Sequence, residues 1–243
     1  MGIREFFTAK DTVNVDPTSD FRKRLPAITY CHGSVMNNSL IELQQLRYQV
    51  FCKELMTIPA GRFHSSLEED EYDPISEHFM SRIGETLVSG VRLILPRSGV
   101  CFPFQETFNI SPGTNLPNHL ESAEISKWVT SKSYRRRSSD SLEGISLTDF
   151  RSQRGHGFTK NYTQNQLQVL SLFRAMYRFS KRNKIRYWYL SVNDLVCQSI
   201  SQLGIPFLPV ISNTYVDLYI CDLSNLAKYL YNVDEEFADW FLS

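Results

Sequence analysis

The sequence predicts an α/β fold in which a central mixed, mostly antiparallel sheet is flanked by helices. Apolar residues make up 42% of the 243 positions, which is enough for a sizeable core. Short β-branched runs such as SGVRLIL are bounded by turn residues, as strands are. A long amphipathic helix is predicted over residues 163–182, with Val169, Phe173, Met176 and Tyr177 on its buried face. Strands and helices in this order favour a mixed sheet covered by helices.

The first half of the chain is expected to contain one helix and three strands. Residues 1–37 show no sustained period and are expected to form a loose N-terminal arm. Ser39 and Glu42 have the spacing of a capping box, so a helix is predicted from Ser39 to about residue 55. A long acidic loop follows. Strands are then predicted at 78–83, 85–95 and 123–130, with a glycine turn between the first two.

The second half is expected to begin with an insertion and to end in a helix. Residues 131–163 are rich in Ser, Arg and Gly and have no apolar period, so a flexible insertion is predicted there. After the long helix, Asn193 and Gly204 are expected to bound a short helix. Strands are predicted at 185–192, 205–211 and 215–221, and a last helix near residue 224. Residues 38–243 are expected to form a single domain.

Charge is balanced overall but unevenly distributed. Lys plus Arg and Asp plus Glu number 26 each, yet the window 132–186 has thirteen basic and three acidic residues, a net charge of +10. This asymmetry predicts a basic surface for an acidic partner. No motif that reads DNA or RNA accompanies it, so a carrier protein is favoured over nucleic acid. The predicted docking residues are Lys132, Arg135, Arg136, Arg137, Arg174, Arg178, Lys181 and Arg182.

Several other classes are disfavoured. The five cysteines are scattered and odd in number, and neither they nor the histidines have the spacing of a metal site. No apolar run approaches the roughly 20 residues that cross a bilayer, and the N-terminus is too polar for a signal peptide. We therefore expect a cytoplasmic protein without a bound metal or a transmembrane segment.

The loop LEEDEYDPISEHF, residues 67–79, concentrates six acidic side chains in thirteen positions. Three interpretations are open. Some of these carboxylates can pair with arginines elsewhere in the chain, or they can present negative charge to a cationic substrate. A solvated turn would explain the composition equally well. In the first interpretation the remaining carboxylates of the loop face solvent.

Several stretches resemble one group of enzymes. LRYQVFCKEL, EEDEYDPISEHF, GVRLIL and AEISK occur in the order and spacing seen in the acyl-homoserine-lactone synthases. Together with LSLFRAMYRFSKRNKIRYWYL, they are still more similar to the N-acyl amino acid synthases and the PEP-CTERM/exosortase system-associated acyltransferases. The resemblance covers about residues 40–230. It implies the GNAT acyltransferase fold and transfer of a fatty acyl group from a carrier-protein thioester, or coenzyme A, to an amine. It marks Arg47, Phe51, Glu68, Asp70, Asp73, Arg92, Phe108 and Glu124 as site residues. Within this set, Glu68, Asp70 and Asp73 have the E-x-D-x-x-D spacing, and the resemblance favours their pairing with Arg47 and Arg92.

Two positions depart from the homoserine-lactone synthases. Those enzymes have Arg where this chain has Lys127, and Trp near the end of the first helix, where this chain reads Met56, Thr57 and Ile58. Lysine offers a point charge in place of the planar arginine fork. Both departures weaken the expectation of S-adenosylmethionine as the acceptor.

Acyl transfer to an amine needs a proton acceptor, because a free amine is mostly protonated at pH 7. Glu124, at the start of the third strand, is the first candidate for this base, and Glu68 is the second catalytic candidate. A bulge or splay in the same strand would free backbone N–H groups to stabilise an oxyanion. Strict alternation places Glu124, Ser126 and Trp128 on one face of the sheet. No serine or cysteine has triad partners, so direct attack by the amine is expected.

Together with the resemblance, the sequence predicts an N-acyltransferase whose donor substrate is acyl carrier protein or acyl-CoA. The expected acceptor is a small amine, an amino acid, and no permanently bound cofactor is expected. The predicted substrate-binding residues are Arg47, Phe51, Asp70, Asp73, Arg92, Phe108, Ser126, Lys127 and Trp128. Two alternatives remain. One is an acyl-homoserine-lactone synthase using S-adenosylmethionine; the other is a non-catalytic module that binds acyl groups or carrier protein.

Overall fold

The computed structural model describes residues 24–111, 113–135, 140–145, 162–212 and 216–243. Seven strands form one sheet in the order β1-β2-β3-β4-β5-β7-β6. The β4–β5 pair is parallel and the other pairs are antiparallel. The strands are β1 Ala27–His32, β2 Ser76–Ile83, β3 Thr86–Ile94, β4 Ser122–Thr130, β5 Tyr187–Val192, β6 Leu208–Ile211 and β7 Asp217–Asp222.

Helices cover both faces of this sheet. The helices are α1 Asn38–Tyr48, α2 Pro103–Thr107, α3 Gln164–Arg182, α4 Asp194–Gln202, α5 Leu223–Val233 and α6 Glu235–Leu242. The α1 helix continues into a π-helical segment, Gln49–Glu54. No helix in the described parts of the chain is long and apolar enough to cross a bilayer.

The main core lies between the sheet and α3. Phe173 of α3 packs edge-on against Trp128 of β4, with ring centroids 5.2 Å apart, and beside Trp188 of β5. On the opposite face, Leu43 and Val50 pack against Met80 and other β-sheet residues. We call these the α3 face and the α1 face of the sheet.

The observed elements confirm most of the predicted helices and strands. The long helix begins after Thr163, which forms a capping box with Gln166, and Asn193 caps α4 as expected. The cap of α1 was assigned to the wrong residue, since Asn37, and not Ser39, accepts the hydrogen bond from the N–H of Leu40.

Three elements were not predicted. Part of the expected loose arm is strand β1, which pairs with β2 from Ala27–Arg82 to His32–Glu77. The loop-rich segment 100–122 contains α2, and the C-terminus forms two helices instead of one. The predicted insertion 131–163 is described only at its ends and over residues 140–145, where the backbone N–H of Thr130 donates to the Leu142 carbonyl. This short piece therefore packs on the end of β4.

Candidate functional site

Arg47 lies at the centre of the α1 face and is fully buried. It donates two hydrogen bonds to Asp73, at 2.9 and 3.0 Å, in a bidentate arrangement. Its Nε donates to Glu68 at 2.5 Å. A buried guanidinium requires such partners, because removing its charge from water costs several kcal/mol. Only close ion pairs and hydrogen bonds offset a cost on the order of this size.

Arg92 of β3 joins the same acidic loop to β4. It donates to Asp73 at 2.7 Å, to Asp70, and through Nε to Ser126 at 3.0 Å. The sheet register explains the last contact, since Arg92 and Ser126 are direct cross-strand partners. The five side chains that the sequence placed together, Arg47, Arg92, Glu68, Asp70 and Asp73, do meet.

Lys127 is a sixth member, and its position depends on an irregularity in β4. The residue has φ +49° at the point where the β3–β4 register shifts. This bulge directs Nζ to Glu68, at 2.6 Å, and over the ring of Phe51, at 5.4 Å. We call the three cations and three carboxylates, Arg47, Arg92, Lys127, Glu68, Asp70 and Asp73, the ionic cluster. Its formal charges balance.

The ionic cluster shifts the titration of its members. Burial raises the pKa of Asp73, but Arg47 and Arg92 outweigh it and hold the pKa well below its usual range. Burial also raises the pKa of Asp70, but Arg92 lowers it by more, so the pKa is below its usual value. The neighbouring His78 is buried, and this lowers its pKa to about 4 despite the attraction of Asp73. At neutral pH the carboxylates of Asp70 and Asp73 are therefore ionised and His78 is neutral.

Glu124 lies near the ionic cluster in a more apolar setting. It is buried beside Ile94 and Tyr189, its partners on the adjacent strands. Its Oε2 accepts a 3.1 Å hydrogen bond from the backbone N–H of Phe104. Desolvation raises its pKa to about 7, although this N–H and Arg92 oppose the shift. The side chain can thus exchange a proton near neutral pH.

The bulge at Lys127 overturns the expected position of Trp128. Alternation placed Trp128 on the face of Glu124 and Ser126, but its indole packs on the α3 face against Phe173. Val129 moves to the α1 face for the same reason. An additional residue in a strand inverts the facing of every side chain that follows it.

A cleft of about 480 Å³ opens where β4 and β5 diverge. The ladder between these parallel strands ends at the Ile125–Leu190 pair, although β4 continues to Thr130. The wall includes Phe51, Tyr72 and Arg92 from the α1 face and Trp128, Leu190 and Val192 from the α3 face. The cleft therefore passes between the strands, and Ser126 and Lys127 lie at its edge.

Family and structural comparisons identify this architecture. A model of the acetyltransferase (GNAT) domain matches residues 46–143. The chain carries the GNAT fold. No curated protein is significantly similar to it in sequence.

Three solved structures are similar over most of their length. The acyl-homoserine-lactone synthase LasI is 15% identical with a TM-score of 0.56, over 86% of this chain and 96% of that one. The CoA-dependent acyl-homoserine lactone synthase BjaI, with SAM and isopentyl-CoA, is 16% identical with a TM-score of 0.52, over 86% and 89%. TofI, in a ternary complex with an inhibitor and MTA, is 13% identical with a TM-score of 0.52, over 81% and 91%. At these identities the likeness concerns the GNAT fold.

Several predicted site residues do not line the cleft. Phe108 is buried near Phe104 in the apolar cluster below α2. Glu68 is buried, with one oxygen bound by Arg47 and the other by Lys127. Glu124 does not line the cleft either, although Arg92, which does, is near enough to lower its pKa. Phe108, Glu68 and Glu124 are therefore buried residues that pack behind or beside the lining residues and are not part of the cleft surface.

The predicted docking residues separate into different environments. Lys132 is exposed just after β4, whereas Arg135 is bound to Glu54 and the Thr130 carbonyl and does not present a free cation. Arg136 and Arg137 lie outside the described residues.

Three basic residues of α3, Arg174, Arg178 and Arg182, line a second groove of about 400 Å³, which is formed with β1 and α6. Arg174 donates to the Trp240 carbonyl at 2.6 Å and Arg182 to Tyr30 at 3.2 Å. Arg178 and Lys181 are exposed. This groove and the cleft share no lining residue among those described.

Sequence reasoning missed some functional candidates. Tyr72 lines the cleft and lies 5.9 Å from the Arg92 guanidinium, and Glu143 and Ser191 line it too. Glu77 was expected to face solvent, but it is buried on β2. Alternation does not mark Glu77, because all residues from Ser76 to Ser81 are buried on β2. No sequence pattern marks Glu143.

Proposed function

We propose that this protein is an N-acyltransferase that moves a fatty acyl group from a thioester donor to the amine of a small acceptor, as the sequence resemblance implies. The observation that carries the proposal is the cleft between β4 and β5, which passes through the sheet beside the ionised cluster and Glu124. The GNAT fold supports it. An amino acid is the proposed acceptor.

The donor thioester is proposed to lie along the diverging end of β4. There the β4–β5 ladder has ended and Lys127 adopts the bulge conformation, so main-chain N–H groups near Ser126–Trp128 can meet the thioester carbonyl. Such donors stabilise the developing oxyanion without reorganising. Leu190 and Val192 provide an apolar wall for an acyl chain. Acyl carrier protein and acyl-CoA are both donors compatible with this arrangement.

The acceptor carboxylate is proposed to meet Lys127. Its ammonium lines the cleft, is the most exposed cation of the ionic cluster and has three donors, of which Glu68 takes one at 2.6 Å. The ion pairs of the ionic cluster then hold Lys127 and Arg92 in position before the substrate binds. Little reorganisation of these side chains is therefore needed on binding.

Glu124 is proposed as the general base, reached through one water from the cleft. Its pKa of about 7 lets it accept a proton at neutral pH, and Arg92 beside it stabilises the ionised form that must be present first. The amine attacks the thioester carbonyl, a C–N bond forms, the C–S bond breaks, and the thiol leaves with a proton. No covalent acyl-enzyme is required.

One assay tests the proposal against its alternatives. Purified protein is incubated with long-chain acyl-CoA or acyl carrier protein and the standard amino acids, with and without S-adenosylmethionine, and products are identified by mass spectrometry. An N-acyl amino acid is expected. Release of methylthioadenosine would indicate an acyl-homoserine-lactone synthase, and tight donor binding without product would indicate a non-catalytic module.

Glu124→Gln tests the base. We expect kcat to fall by about 10²–10⁴-fold. The wild-type rate should rise with pH through about 7, because only the ionised carboxylate accepts a proton, and this limb should be absent in the variant. Exposed Glu69→Gln is the control. An unchanged kcat and pH profile would remove Glu124 from the mechanism.

A further inference from the structure

Three polar atoms of residues that line the cleft have no hydrogen-bond partner among the described residues. They are Trp128 Nε1, Glu143 Oε2 and Ser191 Oγ, and all three atoms are buried. About nine in ten buried polar atoms in proteins are paired. Three unpaired atoms around one cavity therefore indicate groups that pair with a ligand.

The charges around the cleft single out Glu143. Asp70, Arg92 and Lys127 also line it, but all three are engaged within the ionic cluster. Glu143 forms no ion pair with any described residue. Burial raises the pKa of its carboxyl by more than a hydrogen bond from Ser141 and the nearby charge of Arg135 lower it. A buried carboxylate without a cation is costly, and a bound cation removes that cost.

The backbone around Glu143 is held firmly against the end of β4. Thr130 donates its N–H to the Leu142 carbonyl at 3.1 Å and its hydroxyl to the Glu143 carbonyl at 2.9 Å. Gly144 follows with φ +80°, and a Cβ there would lie 2.8 Å from the Thr130 hydroxyl. The backbone that carries the Glu143 side chain is thus fixed against β4, as the backbone of a specificity group should be.

We propose that Glu143 binds the ammonium group of the acceptor amine in the cleft. Ser191 Oγ accepts a second hydrogen bond from the same ammonium, and Trp128 Nε1 donates to an oxygen of the substrate, since an indole N–H cannot accept one. This assignment rests on the acyl transfer proposed above. It makes the cleft selective for acceptors that arrive as cations.

Glu143→Gln keeps the size of the side chain and removes its charge. We expect the KM for the acceptor to rise at least tenfold, which is about 1.4 kcal/mol, since hydrogen bonds to charged groups are stronger than neutral ones. The KM for the acyl donor should stay within twofold. Glu85→Gln, at the exposed β2–β3 turn, is the matched control and should behave as wild type. An unchanged acceptor KM in Glu143→Gln would overturn the assignment.

A binding measurement separates failure of this assignment from failure of the proposed function. Butylamine, which is a cation at pH 7, and 1-butanol are compared as ligands of the wild type by saturation-transfer NMR. Wild type should prefer butylamine, and Glu143→Gln should lose the preference while it melts at or above the wild-type temperature. If wild type transfers no acyl group yet keeps this preference, the proposed function alone fails. If wild type binds both ligands equally, the Glu143 assignment fails, whatever the activity.

Discussion

Asp73 connects the two buried arginines of the ionic cluster. One carboxylate accepts two hydrogen bonds from Arg47 and one from Arg92, and its backbone carbonyl lies 3.3 Å from His78 Nε2. Glu68 and Asp70 each bind only one of the two arginines. The acidic loop is therefore fixed to both α1 and β3 through a single side chain.

Asp73→Asn should destabilise the fold by about 3–5 kcal/mol, because it leaves two buried guanidinium groups short of negative charge. The pKa of Asp73 is depressed in the folded state, so its stabilisation is present above the unfolded pKa near 4 and is lost as pH falls below it. Urea unfolding at pH 7 and pH 3 measures both effects. The difference between variant and wild type should shrink at pH 3.

Exposed Glu71→Gln, two residues away, is the control and should change stability by less than about 0.5 kcal/mol. A similar loss in both variants would show that the loop composition, and not the arginine contacts, supports the fold.

The residue-level prediction succeeded where the family resemblance selected the residues. The resemblance marked the E-x-D-x-x-D carboxylates together with Arg47 and Arg92, and these side chains do meet. Lys127 was not expected to join them, because its direction depends on a left-handed backbone conformation that a lysine rarely adopts. Glu143 was missed because an acidic residue in a basic, Ser-rich stretch has no distinguishing pattern.

At the level of elements, β1 and the acidic loop are packed backbone to backbone. Gly33 follows β1 and donates its N–H to the Ser76 carbonyl at 2.8 Å. A Cβ at this position would lie 1.8 Å from the Asp73 carbonyl oxygen and 2.8 Å from His78 Nε2. The loop that contributes three carboxylates to the ionic cluster is thus positioned by a strand that the sequence assigned to a loose arm.

Gly33→Ala should destabilise the protein by about 3 kcal/mol. The new methyl group would overlap the backbone of Asp73, which cannot move aside as the end of a flexible side chain can. If the loop shifts instead of the strand, activity should fall more than stability does. Gly61→Ala is the matched control, since no atom lies within 4 Å of a Cβ built there. Thermal melts together with initial rates distinguish the two responses, and a neutral Gly33→Ala would contradict this packing.

The order of elements was predictable because hydrophobic period and caps are local, as at Thr163 and Asn193. Strand β1 was not, since its AITYCH run is half exposed at the sheet edge and pairs with residues about fifty positions away. The bulge in β4 was equally hidden. Its stabilising contacts, from Lys127 to Glu68 and Phe51, are all distant in sequence.

For the whole molecule, the distribution of basic residues bears on how a carrier protein would approach. Arg182 is bound to Tyr30 on β1, whereas the cleft lies between β4 and β5. Strand β1 lies three strand spacings from β4 and four from β5. At roughly 4.8 Å per spacing, Tyr30 is therefore about 17 Å from the cleft across the sheet. Lys132, by contrast, follows Trp128 of the cleft wall by four residues, at most about 14 Å of extended chain.

We therefore expect the carrier to dock at the Lys132 end of β4 and not on the α3 groove. Lys132→Glu should lower kcat/KM for acyl carrier protein by about threefold to tenfold, because one rim charge contributes about 1 kcal/mol and reversal adds repulsion. The same variant should leave kcat/KM for acyl-CoA unchanged. Combined Arg178→Glu and Lys181→Glu substitution should change neither value by more than twofold. A larger loss from the α3 substitutions than from Lys132→Glu would place the carrier on the groove, and would require the acyl chain to reach the cleft around the sheet edge.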